Sequence, residues 1–160
     1  MTVARAPERR ALWLLGDTRI AASPSPLLHN AIHLDERYQL HADDDAGRAF
    51  AAAEAEVRGV NVTAPHKIKA FERYRGVADD RASACGAVNT VVYDDDGHAE
   101  VAANTYVHGA MTAWRRAGLL VEGRVVAVIG AGGAARAVVV AAHEAGASTV
   151  VVHARRRDRA

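Results

Sequence analysis

Residues 124–152 constrain this chain more tightly than any other stretch. Arg124 to Ile129 reads RVVAVI, a β-branched run suited to a central parallel strand. Gly130-Ala131-Gly132-Gly133-Ala134-Ala135 follows at once. A helical pattern then runs from Ala134 to Glu144, with Gly146 placed as its C-terminal cap. Ser148 to Val152 is a second β-branched run. Together these make one βαβ unit, the building block of open parallel sheets. The small residues of the loop have separate tasks. Gly130 permits the tight turn out of the strand, Gly132 lets backbone N–H groups approach a pyrophosphate, and Ala135 allows close helix–sheet packing. The helix N-terminus adds free donors and the positive end of a dipole. The pattern predicts a dinucleotide at Gly130, Ala131, Gly132, Gly133 and Ala134.

The end of the second strand bears on which dinucleotide. An NAD site usually carries a carboxylate about 20 residues after the glycines. Here that place reads His153-Ala154-Arg155-Arg156-Arg157, with no carboxylate before Asp158. Guanidinium groups suit the 2′-phosphate of NADP through charge and paired hydrogen bonds. Arg155 and Arg156 are the expected contacts, and NADP is the expected cofactor.

Upstream, strand-like and helix-like segments alternate. Strands are predicted at Ala11–Leu15, Tyr38–His41 and Gly59–Val62. Helices are predicted from about Leu27 to Leu34 behind Ser25 and Pro26, over Gly47–Arg58, and over His66–Arg73. Asp94-Asp95-Asp96-Gly97 between Ala87–Tyr93 and His98–Ala102 predicts a hairpin. A helix over Met111–Leu119 could link two lobes.

Composition narrows the functional classes. Half of the 160 residues are hydrophobic and 24% are charged, which fits a globular protein rather than a disordered chain. No apolar run is long enough for a transmembrane helix. MTVARAPERR lacks the apolar core of a secretory signal. A net charge of +1 and 5% aromatic content give no footprint for nucleic acid or a membrane surface. The single cysteine, Cys85, excludes an internal disulfide and is read as a structural thiol in a reduced, cytoplasmic protein. His29 and His33 have metal-ligand spacing but no evident third ligand, and the two Asp runs lack EF-hand spacing, so no metal is expected. Trp13 and Trp114 are expected in the core.

Only two lysines occur, Lys67 and Lys69. Lys67 ends GVNVTAPHK, which puts Asn, Thr and Lys just past a short strand, where open α/β sheets bind ligands. Burial would lower its pKa and suit it to acid–base work; the same spacing also fits two lysines on a solvated helix.

Five segments resemble shikimate dehydrogenase, the NADP-dependent enzyme of aromatic amino-acid biosynthesis. They are LLGD at 14–17, SPSPLLHN at 23–30, GVNVTAPHK at 59–67, GAVNTV at 86–91 and GAGGAAR at 130–136, in family order and spacing. The resemblance implies an α/β fold: an open three-layer substrate-binding domain over 1–103, a linker helix over 104–120, and a partial Rossmann-type NADP-binding domain over 121–160. It implies reversible reduction of 3-dehydroshikimate to shikimate, with small molecules as partners. Ser23 and Ser25 match the pair that holds the substrate carboxylate. Thr63 and Asn89 match contacts to ring hydroxyls or the carboxylate, and Lys67 matches the catalytic lysine. Asp80 matches an acidic position near the cofactor, and Arg155 and Arg156 stand in the segment that grips the 2′-phosphate.

Two departures qualify this. Where the family has an Asp paired with the lysine, this chain has Tyr106, a phenol that supplies no negative charge at neutral pH and adds bulk beside the substrate. Residue 160 also falls just after the second strand of the nucleotide unit, short of the strands that complete such a domain. Both favour a catalytically impaired relative or fragment as the alternative reading. A quinate-type oxidoreductase is the other, since these motifs do not separate the two substrates.

Overall fold

The strand alternation of residues 11–103 builds a sheet with two different faces. The structure, a computed structural model, describes residues 11–32 and 37–155. Five strands, β1 (Ala11–Gly16), β2 (Arg37–Ala42), β3 (Gly59–Val62), β4 (Thr90–Tyr93) and β5 (Ala99–Ala103), form one sheet in the order β2-β1-β3-β4-β5. β1 pairs in parallel with β2 and β3, while β4 runs antiparallel to both β3 and β5. Side chains alternate across the pleat. Trp13, Leu15, Val60 and Val62 therefore join one core, closed by Ala49, Phe50 and Ala53 of α2 (Ala46–Glu56) and by Ala70 and Tyr74 of α3 (Lys67–Tyr74). The alanines of α2 bring its backbone close to the sheet, and Phe50 fills the remaining space. Leu14 and Tyr38 point the other way and pack with Ile20 and Leu40, beside α1 (Ser25–Ile32). The result is three layers, as the family resemblance implies.

A second, two-stranded parallel sheet joins β6 (Val125–Ile129) and β7 (Thr149–His153) through the crossover helix α6 (Gly133–Glu144). α6 packs across the gap between the sheets. Ala137 and Ala141 meet Cys85, Ala87 and Val107, with Trp114 partly buried against them. Arg81 closes the far end with a 2.7 Å ion pair to Glu144. Among the described residues nothing covers Val125, Val151 and Ile129 on the other face of β6 and β7, and Ile129 is 88% exposed.

Of the elements that differ from the sequence reading, two bear on the site. α4 (Asp80–Cys85) is an unanticipated short helix, capped by the Asp79 carboxylate on the Ala82 N–H and stopped by Gly86 at φ 57°. Here the cap and terminator were the only signals. α5 (Thr105–Arg116) starts six residues before the expected Met111, because Asn104 caps the Tyr106 N–H while its amide bonds the Ala87 carbonyl. Among the described residues no helix is long and apolar enough to cross a membrane.

Phe50 is 2% exposed at the centre of the larger core. Phe50→Ala should lower unfolding free energy by about 3–5 kcal/mol in urea titrations. A loss under about 1 kcal/mol would contradict the core described here.

Candidate active site

β1 and β3 end side by side, and the chain leaves them toward opposite edges of the sheet. Such a switch point opens a crevice at the carboxyl ends of the strands. A cleft of about 680 Å³ lies there. Its base depends on Gly16: a Cβ would come within 2.5 Å of Ile20 and 2.6 Å of Thr63. The cleft brings together Ser23, Ser25, Thr63, Asn89 and Tyr106, five of the expected substrate contacts. Ser23 Oγ donates to Ser25 Oγ at 3.1 Å, and the Ser25 N–H donates back to Ser23 Oγ at 3.3 Å. The two hydroxyls are thereby presented as one unit.

A chain of hydrogen bonds crosses the cleft wall. The Tyr38 hydroxyl donates to Asn61 Oδ1 at 2.9 Å, and Asn61 Nδ2 donates to Thr90 Oγ1 at 3.2 Å. Thr90 Oγ1 donates to Asn89 Oδ1 at 3.2 Å, and Asn89 Nδ2 donates to Thr105 Oγ1 at 2.9 Å. Each link fixes the rotamer of the next, so these polar groups are held in place before any ligand arrives. Burial and the neighbouring Tyr106 push the Tyr38 phenol up to about 12, keeping it a donor. The His29 ring stacks on Tyr38 at 4.1 Å. Tyr38, Asn61 and His29 were not named as site residues from the sequence. Asn61 and His29 lay inside recognised motifs, and Tyr38 lay in an expected strand whose pairing no local sequence window states.

Lys67 is the first residue of α3 and only 7% exposed. Its Nζ stands 3.5 Å from Thr63 Oγ1 and 5.4 Å from the centre of the Tyr106 ring. Burial lowers its pKa, with no charged neighbour contributing. The solvated-helix reading fails for Lys67 and holds for Lys69, which is exposed. Tyr106 is 41% exposed and forms part of the cleft wall, whereas Lys67 does not line it. A cation–π contact thus occupies the place of the ion pair that the family resemblance implies.

The glycine loop faces the same side of the molecule. Gly130 turns at φ 115°, and its N–H donates to the His153 carbonyl at 2.8 Å, which ties the loop to the end of β7. Arg155 follows two residues later at that edge. Gly132 precedes α6 without a capping side chain, leaving the first-turn N–H groups free for an anion. Arg156 lies outside the described residues, as does His33. Asp80 opens α4. Its neighbour Arg81 pairs with Glu144 at the opposite end of α6, about 16 Å along the helix from Gly133. α4 runs antiparallel to α6, so the structure does not bring Asp80 to the loop. Asp94, Asp96 and His98 place ligand atoms within 4.8 Å of one another in an exposed turn. There Asp94 Oδ1 already accepts the Asp96 and His98 N–H groups.

Residues 14–91 match the family model of the shikimate dehydrogenase substrate binding domain. The chain belongs to the shikimate dehydrogenase family. It is 36% identical over 159 residues to a shikimate dehydrogenase (NADP(+)) of Thermosynechococcus vestitus, covering 95% of this chain and 54% of the relative. A Thermus thermophilus shikimate 5-dehydrogenase, solved with NADP(H) and shikimate, superposes with TM-score 0.79 at 32% identity, covering 94% of this chain and 57% of that one. A Corynebacterium glutamicum quinate dehydrogenase, solved with NAD, superposes with TM-score 0.82 at 27% identity, covering 95% and 57%. The chain spans about half the length of the curated relatives it matches.

A buried ammonium carries a cost that pH can remove. The native chain holds the Lys67 proton less tightly than the unfolded chain, because burial lowers this pKa from 10.5. Between the native and unfolded values the unfolded state binds more protons, so stability rises with pH there. Lys67→Met should therefore raise the urea midpoint at pH 7, with the gain shrinking as pH climbs through the ordinary lysine range. A lower midpoint at pH 7 would show that the charge is well solvated.

Proposed function

We propose that this chain is a shikimate dehydrogenase-type oxidoreductase. The proposed reaction is the reversible, NADPH-dependent reduction of 3-dehydroshikimate to shikimate. The reading divides the chain into a substrate unit over 1–103, a connecting helical segment over 104–120 and a nucleotide unit from 121. The observation that carries it is the cleft itself. A pair of serine hydroxyls faces a pre-ordered row of amides and hydroxyls, with a buried lysine at its edge. Ser23 and Ser25 would hold the substrate carboxylate, and Thr63 and Asn89 the ring hydroxyls. Asn61 would orient Asn89 through Thr90. Lys67, with its lowered pKa, would exchange a proton with the reacting oxygen.

The residues of the second unit fit a dinucleotide. Gly130 to Ala134 form the turn, and the uncapped start of α6 suits a pyrophosphate. Arg155 suits a 2′-phosphate, in keeping with the NADP(+) named for the relatives. NADPH, when bound, supplies the hydride. A reducing, cytoplasmic setting suits the buried Cys85, whose thiol burial pushes up to about 11.

The Lys67–Tyr106 contact favours a second reading, that of a relative impaired in turnover while still binding ligand. Calorimetry and NADP+ reduction with shikimate separate the two. Native chain should bind shikimate, and Ser23→Ala with Ser25→Ala should weaken binding tenfold or more. Absence of binding by the folded native chain would overturn the substrate assignment. Tighter binding of quinate in a parallel titration would move it to the quinate-type alternative. Tyr106→Asp should give Lys67 a negative partner and raise turnover by about 10²-fold or more. Fast turnover by the native chain, unchanged in Tyr106→Asp, would contradict the impaired reading.

A further inference from the structure

Two adjacent glycines of the loop meet different surroundings. A Cβ on Gly132 would have nothing within 4 Å. A Cβ on Gly133 would lie 3.0 Å from Lys67 Cδ, 3.1 Å from Lys67 Cβ and 3.4 Å from Ala87 Cβ. Gly132 is thus open toward solvent, and Gly133 is closed against the lysine stem. That stem has little room to retreat. The Lys67 carbonyl accepts the Val88 N–H at 3.0 Å, and Cβ cannot swing away as a side-chain end could. α6 is equally fixed, because Ala137 and Ala141 are fully buried against Cys85, Ala87 and Val107. One turn on from the loop, Arg136 Nη1 comes within 3.1 Å of where a Gly86 Cβ would stand. The groups facing the ammonium are the Thr63 hydroxyl from the turn after β3 and the Tyr106 ring from α5. From α6, Gly133 lies against the lysine stem.

We infer that Gly133 is a positioning residue for Lys67: the missing side chain at the head of α6 lets the lysine stem pass beneath the nucleotide loop and sets where its ammonium stands. This rests on the proposed role of Lys67 and deepens it. The loop expected to hold the cofactor and the lysine expected to move the proton are in van der Waals contact.

The lysine content makes the test direct. With two lysines in the chain, side-chain-labelled lysine gives two signals, and exposed Lys69 is an internal reference. The measurement needs neither nucleotide nor shikimate, so its outcome is independent of whether the substrate assignment holds. In the native chain, Gly133 Hα should show a nuclear Overhauser contact to the Lys67 β and δ protons, and Lys67 should titrate below the ordinary lysine value of 10.5. In Gly133→Ala the contact should be lost. The Lys67 midpoint should then rise by roughly half a pH unit or more as its stem is displaced toward water, with Lys69 unmoved. Gly132→Ala should leave both lysine midpoints unchanged. A folded Gly133→Ala chain with an unshifted Lys67 midpoint overturns the inference. Should that variant not fold, the native contact decides alone: its presence supports the inference and its absence overturns it.

Discussion

The burial of one ammonium group organises this molecule. Lys67 stands at the head of α3 with its Nζ near Thr63 and over the Tyr106 ring, and its stem lies under Gly133. Each of those neighbours comes from a different element. The turn after β3, the start of α5 and the start of α6 must all arrive at one place, and the larger sheet, the Asn104 cap and the interlobe alanines bring them there. A lysine is expensive to bury without a counter-charge. The fold holds it against an aromatic ring, with burial alone lowering its pKa, as the proposed proton-transfer role requires.

The cleft beside it follows from topology. β1 and β3 pair side by side at the centre of the sheet and the chain leaves them toward opposite edges, so a crevice opens at their carboxyl ends. The polar wall from Tyr38 to Thr105 lends that crevice rigidity, since every amide and hydroxyl in it already has a partner. Among the described residues no buried side-chain polar atom is left without one. A hydroxylated ring would meet donors and acceptors that need little reorganisation, which reduces the entropy lost on binding.

Much of this was legible in the residues, for identifiable reasons. The β6–α6–β7 unit could be read because β-branched runs, a glycine turn and a helical period agree with one another over thirty residues. The strand Gly59–Val62 and the placement of Lys67 were legible for the same reason: a short apolar run ends abruptly in polar residues. The start of α5 was hidden because Gly109 and Tyr106 weaken its helical pattern, while the Asn104 cap that fixes it also depends on the distant Ala87 carbonyl. Asp80 stands toward the Glu144 end of α6 because α4 packs on that helix, a long-range fact that no local window states. Tyr38 and Asn61 join the site only through the pairing of β1 with β2 and β3, a long-range fact that no local window contains. Tyr106 was recognised as a departure, yet its contact with the lysine is a property of the assembled structure.

The central claim is that this cleft, with Lys67 at its edge, is a site for a hydroxylated ring carboxylate. Two-dimensional amide spectra of labelled chain titrated with shikimate test it most directly. The account predicts that Ser23, Ser25, Thr63, Asn89 and the Asn61 side-chain amide shift together with one saturating curve, while the amides of β7 stay in place. Shifts scattered over the surface, or none in these residues at millimolar shikimate, would contradict it.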